Sequence, residues 1–191
     1  NKIDLSISIE ESEKFYIEKI NIYGNYITNE NVIRNSLIVD EGDGFNKILV
    51  NKSINNLKGK RIFSNVNYKL KEGSTNKLKE IDINVNEQPT GEIFAGAGTG
   101  TSGTTVSLGV KENNYLGSGI KLDTNIALSD KSLLGKFSVN NPNFNNSDKS
   151  LITSIEASQL DRMTKFGYKT SKTGFDIGTS FEQYNDIYFS P

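Results

Sequence analysis

The chain contains no Cys, no His and no Trp, and only 3 Pro in 191 residues. Without Cys there is no disulfide framework, zinc ribbon, iron–sulfur ligand set or thiol nucleophile. Without His there is no Ser-His-Asp triad, no imidazole metal ligand and no side chain that ordinarily titrates near neutral pH. Any catalyst built here would depend on carboxylates, Lys, Ser/Thr or Tyr. Charge of one sign is lacking too: 22 basic and 23 acidic side chains leave a net charge of -1. That argues against a nucleic-acid partner, whose footprint is a basic surface. No run approaches the roughly 18 apolar residues of a membrane-spanning helix, and no signal peptide is visible. Mean hydropathy is low, at -0.48, but this does not exclude a β-barrel, whose strands alternate apolar with polar.

What is present divides near Pro89. Of the 17 glycines, 5 fall in residues 1–88 and 12 in residues 89–191, while charge is evenly spread over the two parts. In the first part, residues 14–23 read as a strand, followed by a turn at Gly24-Asn25. Thr28 reads as the N-cap of a helix over residues 29–37, with Ile27 and Val32 placed for a hydrophobic staple. Asp40-Glu41-Gly42-Asp43 is a solvated acidic loop, because the rest of a calcium-binding ladder is missing. A second helix carries Val50, Ile54 and Leu57 at i, i+4, i+7, with Asn46 as its cap. Val66-Tyr68-Leu70 and Ile81-Ile83-Val85 alternate as two strands of a hairpin turning at Gly73-Ser74. The expected order is β-α-α-β-β.

Residues 3–9 echo residues 81–86, so residues 1–13 are expected to be the last strand of a preceding copy of the same module. A start at Asn rather than Met fits a trimmed chain. In the second part, alternating segments lie at about 91–100, 106–110, 120–128, 133–139, 151–160 and 175–181, with a seventh beginning at Ile187. Lengths near ten residues with one apolar face suit transmembrane β-strands. A soluble antiparallel sheet would alternate in the same way, and periodicity alone does not separate the two.

Gly98-Thr99-Gly100-Thr101-Ser102-Gly103 has dinucleotide-binding spacing, but Thr104 to Leu108 is strand-forming where a helix would be needed. No phosphate loop and no paired-carboxylate spacing is found. No cofactor and no enzymatic activity are therefore expected.

Gly24-Asn25, Val32-Ile33-Arg34, Glu41-Gly42-Asp43, Phe63-Ser64-Asn65-Val66 and Val85-Asn86-Glu87, in that order, resemble a polypeptide-transport-associated (POTRA) repeat. Glu87-Gln88-Pro89-Thr90-Gly91 resembles the junction where the last such repeat enters the barrel in the BamA family of outer-membrane protein assembly factors. Asn113 to Gly119 and Asn141-Pro142-Asn143-Phe144 resemble two turns of that barrel. The resemblance covers essentially the whole chain. It implies a POTRA repeat over residues 14–88, then the antiparallel opening strands of a transmembrane barrel over 89–191, a partial barrel of about six strands.

It implies more about function. The first barrel strand, Gly91, Glu92, Ile93, Phe94, Ala95, Gly96, Ala97, Gly98, Thr99 and Gly100, would be the lateral-gate edge on which unfolded outer-membrane barrel proteins pair. Its glycines suit a strand that separates easily; relief of crowding in a curved wall is the alternative. Glu41, with Arg34, is implied as a docking point for accessory lipoproteins, against a purely local ion pair between the two. Outer-membrane lipid is the third expected partner, with the repeat in the periplasm. Turns at 113–119 and 141–149 would face the periplasm, and those at 101–103, 129–132 and 161–171 the outside. A TamA-like or two-partner secretion pore and a soluble β-rich surface module are the alternative readings.

Overall fold

The computed structural model describes residues 13–100, 103–184 and 187–191. The expected strand of a preceding copy falls almost wholly on residues 1–12, outside the described residues.

Alternation in the first part builds a three-stranded sheet. Strand β1 (Tyr16–Tyr23) leads through α1 (Glu30–Arg34) and α2 (Lys47–Gly59) to the hairpin β2 (Phe63–Glu72) and β3 (Leu78–Glu87). The sheet order is β1-β3-β2, with β1 parallel and β2 antiparallel to β3. Ile81, Ile83 and Val85 of the central strand face the helices and are almost wholly buried. Against them α2 sets the predicted stripe of Val50, Ile54 and Leu57, all buried. The Asn46 side chain caps α2 as expected, accepting from the N–H groups of Ile48 and Leu49 at 2.9 and 3.3 Å.

The first helix differs from expectation. It spans Glu30–Arg34 rather than 29–37, and Asn29 precedes it without a side-chain cap. Thr28 is not the cap, because its hydroxyl accepts from Asn114 Nδ2 at 2.9 Å. Ile27 is 72% exposed, so no staple forms. A long-range partner has taken the residue that local rules assigned to the helix.

The second part forms a seven-stranded antiparallel sheet in sequence order: β4 (Gly91–Gly100), β5 (Gly103–Tyr115), β6 (Ile120–Ser129), β7 (Ser132–Asn141), β8 (Ser150–Arg162), β9 (Tyr168–Tyr184) and β10 (Ile187–Phe189). Register explains the two faces. Ile93, Val110, Thr124, Phe137, Ile155 and Phe175 pair in a row across six strands. One residue away on each strand, Glu92, Lys111, Asp123, Ser138, Ser154 and Asp176 form the matching row of the other face. The first row is an uncovered apolar band: Ile93 is 84% exposed, Ile155 52% and Phe175 64%. The second is polar and internally paired, with Lys111 3.4 Å from Asp123 and Ser154 donating to Asp176 at 3.0 Å.

The β8–β9 connection also corrects an expectation. A loop was expected over 161–171, but the ladder continues through Asp161↔Lys169 and Arg162↔Tyr168. A single helical turn, α3 (Met163–Phe166), and Gly167 at φ 74° close it. Here the strands extend beyond the apolar band, so both faces are polar and hydropathic alternation vanishes while backbone pairing persists.

Leu57 is fully buried beneath the sheet. Leu57→Ala is expected to destabilise the repeat by about 2–5 kcal/mol, read as a lower midpoint in urea unfolding followed by circular dichroism.

Candidate functional site

The first barrel-type strand sits at one end of its sheet. Among the described residues strand β4 pairs with β5 alone, and every one of its residues is exposed. Along an antiparallel strand, alternate residues turn their N–H and C=O groups to opposite sides. One set therefore bonds to β5 and the other is offered to whatever approaches the outer edge. None of Gly91, Gly96, Gly98 and Gly100 has a positive φ, so left-handed backbone does not explain them. Crowding does not explain two of them either, since a Cβ on Gly98 or Gly100 would meet nothing. What glycine does there is withhold side-chain packing from the strand.

The sheet is anchored to the repeat at the other end of the same ladder. Between Glu112 and Tyr115 the β5–β6 register slips by one residue, a bulge at Asn113-Asn114. A bulge re-aims side chains, and here Asn114 turns to the repeat. Its Nδ2 donates to buried Thr28 and its Oδ1 accepts from Gly119 N at 2.8 Å. Asn29 N donates to Gly117 O at 2.8 Å. Gly117 has φ 72°, and a Cβ there would overlap the Ile27 carbonyl, so the turn requires glycine on both counts.

Glu87, the last residue of β3, organises this contact from the repeat side. Its carboxylate accepts from the backbone N–H groups of Tyr26, Ile27 and Thr28, at 2.6 Å from Thr28. Burial is the largest single influence on its pKa and pushes it up. The hydrogen bonds from Thr28, Ile27 and Tyr26 together outweigh it and hold the carboxyl below its ordinary 4.5. Across the junction, Lys60 at the end of α2 is pushed down by burial and then by the charge of Lys121. Sequence reasoning placed Thr28 as a helix cap and Asn114 in a turn, and assigned neither to this contact. The available signal was the Gly117-Ser118-Gly119 turn beside a paired Asn-Asn.

Arg34 and Glu41 do come together. Their charged atoms are 3.7 Å apart, Arg34 also pairs with Glu30 at 2.7 Å, and Glu41 Oε1 accepts from Ile20 N at 3.0 Å. Arg34 donates to Ile20 O, so the pair clasps the outer edge of β1. Loop 40–44 covers that edge further along, where Ile17 N donates to Asp43 O and Gly42 N to Ile17 O. Among the described residues no group of three acidic side chains gathers to hold a metal.

Because the folded-state pKa of Glu87 is depressed, its contribution to stability is full above the ordinary glutamate value and is lost as pH falls through the lower folded value. Amide shifts of Tyr26, Ile27 and Thr28 are expected to titrate together with a midpoint below 4.5, a step that Glu87→Gln abolishes. Glu87→Ala, which strands three donors, is expected to cost about 1–3 kcal/mol at neutral pH, measured by denaturant unfolding.

The family described as POTRA, surface antigen variable number repeat, matches residues 15–88. The outer membrane protein assembly factor BamA of Buchnera aphidicola is 33% identical over 151 residues, covering 76% of this chain and 24% of the relative. The chain thus spans about a quarter of the length of that relative. Among solved structures, BamA from Haemophilus ducreyi lacking POTRA domains 1-3 superposes with a TM-score of 0.80 at 22% identity, covering 95% of this chain and 35% of that one. CdiB from Acinetobacter baumannii gives 0.61 at 14% identity, covering 90% and 34%. The chain carries a POTRA repeat joined to barrel-type strands in the manner of the BamA outer membrane protein assembly factors.

Proposed function

We propose that the chain serves an outer-membrane protein assembly factor that folds β-barrel proteins and inserts them into the bacterial outer membrane. The observation that carries this reading is the combination of an uncovered apolar band with an exposed, glycine-rich end strand. A band of that kind suits lipid, where it loses no water-facing polar group. A strand whose outer N–H and C=O groups are unpaired suits β-augmentation by a client strand. Recognition then runs through backbone atoms of residues 91–100, with little side-chain specificity.

In this reading residues 14–88 lie in the periplasm and residues 89–191 form barrel wall. The turns at 116–119 and 142–149 lie on the repeat side and face the periplasm. Clients meeting the repeat add to β2, since the β1 edge is closed by loop 40–44 and the Arg34–Glu41 clasp. The same clasp, with half-exposed carboxylate and guanidinium groups, is the docking point for accessory lipoproteins. A related secretion pore is supported less well, given the lower TM-score of CdiB. A soluble surface module would have to leave the apolar band in water.

Ile93→Pro or Ala95→Pro in the full-length protein is expected to abolish client insertion, whereas Ala95→Ser leaves it near normal; assembly at wild-type levels by both proline variants would refute edge pairing. Glu41→Lys is expected to reduce lipoprotein co-purification severalfold, and full retention excludes the docking role.

A further inference from the structure

The ladder between β4 and β5 runs from Gly91↔Glu112 to Gly100↔Gly103 without a register shift. The hairpin holds its far end, at Gly100↔Gly103. The near end is tied just before β4, where the Thr90 hydroxyl donates to Glu112 and the Thr90 carbonyl accepts from Asn113 N at 3.2 Å. Between these two ends the side chains of β4 offer little grip on β5. On the apolar face Ile93, Ala95 and Ala97 lie opposite Val110, Leu108 and Val106, a nearly uniform row that a two-residue slide would leave on the same face. On the polar face Gly96, Gly98 and Gly100 contribute no side chain at all.

Phe94 is the exception. It stands directly opposite Gly109, and a Cβ on residue 109 would overlap the outer atoms of its ring. The ring therefore occupies a seat that only glycine leaves open, the cross-strand pairing in which an aromatic covers a bare glycine. Displaced by two residues either way, Phe94 would meet Ser107 or Lys111, both of which carry side chains. The Lys111 ammonium lies 5.6 Å from the ring centroid and is itself held 3.4 Å from Asp123. Phe94 is 38% exposed, against 84% for its neighbour Ile93.

We propose that Phe94 seated on Gly109 is the fastener that keeps the repeat-proximal half of β4 against β5 and in register, a positioning residue for the edge. The inference rests on reading β4 as the client-pairing strand, because a strand added to its outer side inherits its offset. A slip of one ladder step would displace that strand by about 7 Å. Beyond Phe94 the glycines add no side-chain grip, and the backbone ladder with the hairpin at Gly100↔Gly103 holds the distal half.

The chain has no cysteine of its own, so, once any cysteine elsewhere in the full-length protein is replaced by Ser, disulfide trapping can report on the seat without background and without any client. In the full-length protein in isolated outer membranes, Ala95→Cys with Leu108→Cys probes the directly opposed pair beside the seat. Leu128→Cys with Leu133→Cys probes an opposed pair remote from it. Phe94→Leu and Gly109→Ala are each expected to lower the 95–108 yield at least threefold and leave the 128–133 yield alone, while Phe94→Tyr keeps both. An unchanged 95–108 yield, or an equal loss at both pairs, overturns the proposal. Client assembly by the proline variants above is scored separately, so failure of edge pairing and failure of the seat are told apart.

Discussion

Side chains alternate strictly across a β-strand, and backbone groups that no neighbour bonds must face a partner or solvent. The rest of this structure depends on that double constraint. Because the ladders from β4 to β9 keep register except at the β5–β6 bulge near the repeat, apolar residues spaced by two in sequence become one continuous band in space. A single-residue slip in any ladder would turn its strand's apolar set onto the polar face. Ion pairs and hydroxyl–carboxylate bonds across the polar face therefore share their origin with the apolar band.

The same constraint explains why the departure at Asn113-Asn114 matters. One extra residue in β5 breaks the alternation at the repeat end, where Asn114 is needed across the junction and not along the sheet. Glu87 meets it from the repeat by collecting three consecutive backbone donors, which fixes the loop that carries Thr28. The sheet is thus held by side chains where it meets the repeat, whereas the glycine-rich end of β4 is held by its backbone ladder.

Much of the architecture was legible in sequence because the signals were local. Asn46 caps the helix it was expected to cap, since its partners are two and three residues away. The hairpin at Gly73-Ser74 and the seven barrel-type strands follow from turn chemistry and a period of two. Thr28 misled because its local signal was sound but a residue 86 positions away claimed its hydroxyl. The β8–β9 ladder was underestimated because hydropathy reports burial, and outside the apolar band there is no burial to report. The ion pair of Arg34 and Glu41, the alternative to a docking role, forms, yet its clasp on the β1 backbone at Ile20 appears in no spacing rule.

By itself, then, the sequence determined which face of each strand is apolar and where each strand turns, since both are properties of a few neighbouring residues. Only the tertiary structure decided which edge of the repeat's sheet is closed and which polar groups meet at the junction. Those outcomes join residues 59 and 86 positions apart, such as Thr28 with Glu87 and with Asn114. No local preference encodes such pairings, because they form only when packing has already brought the segments together.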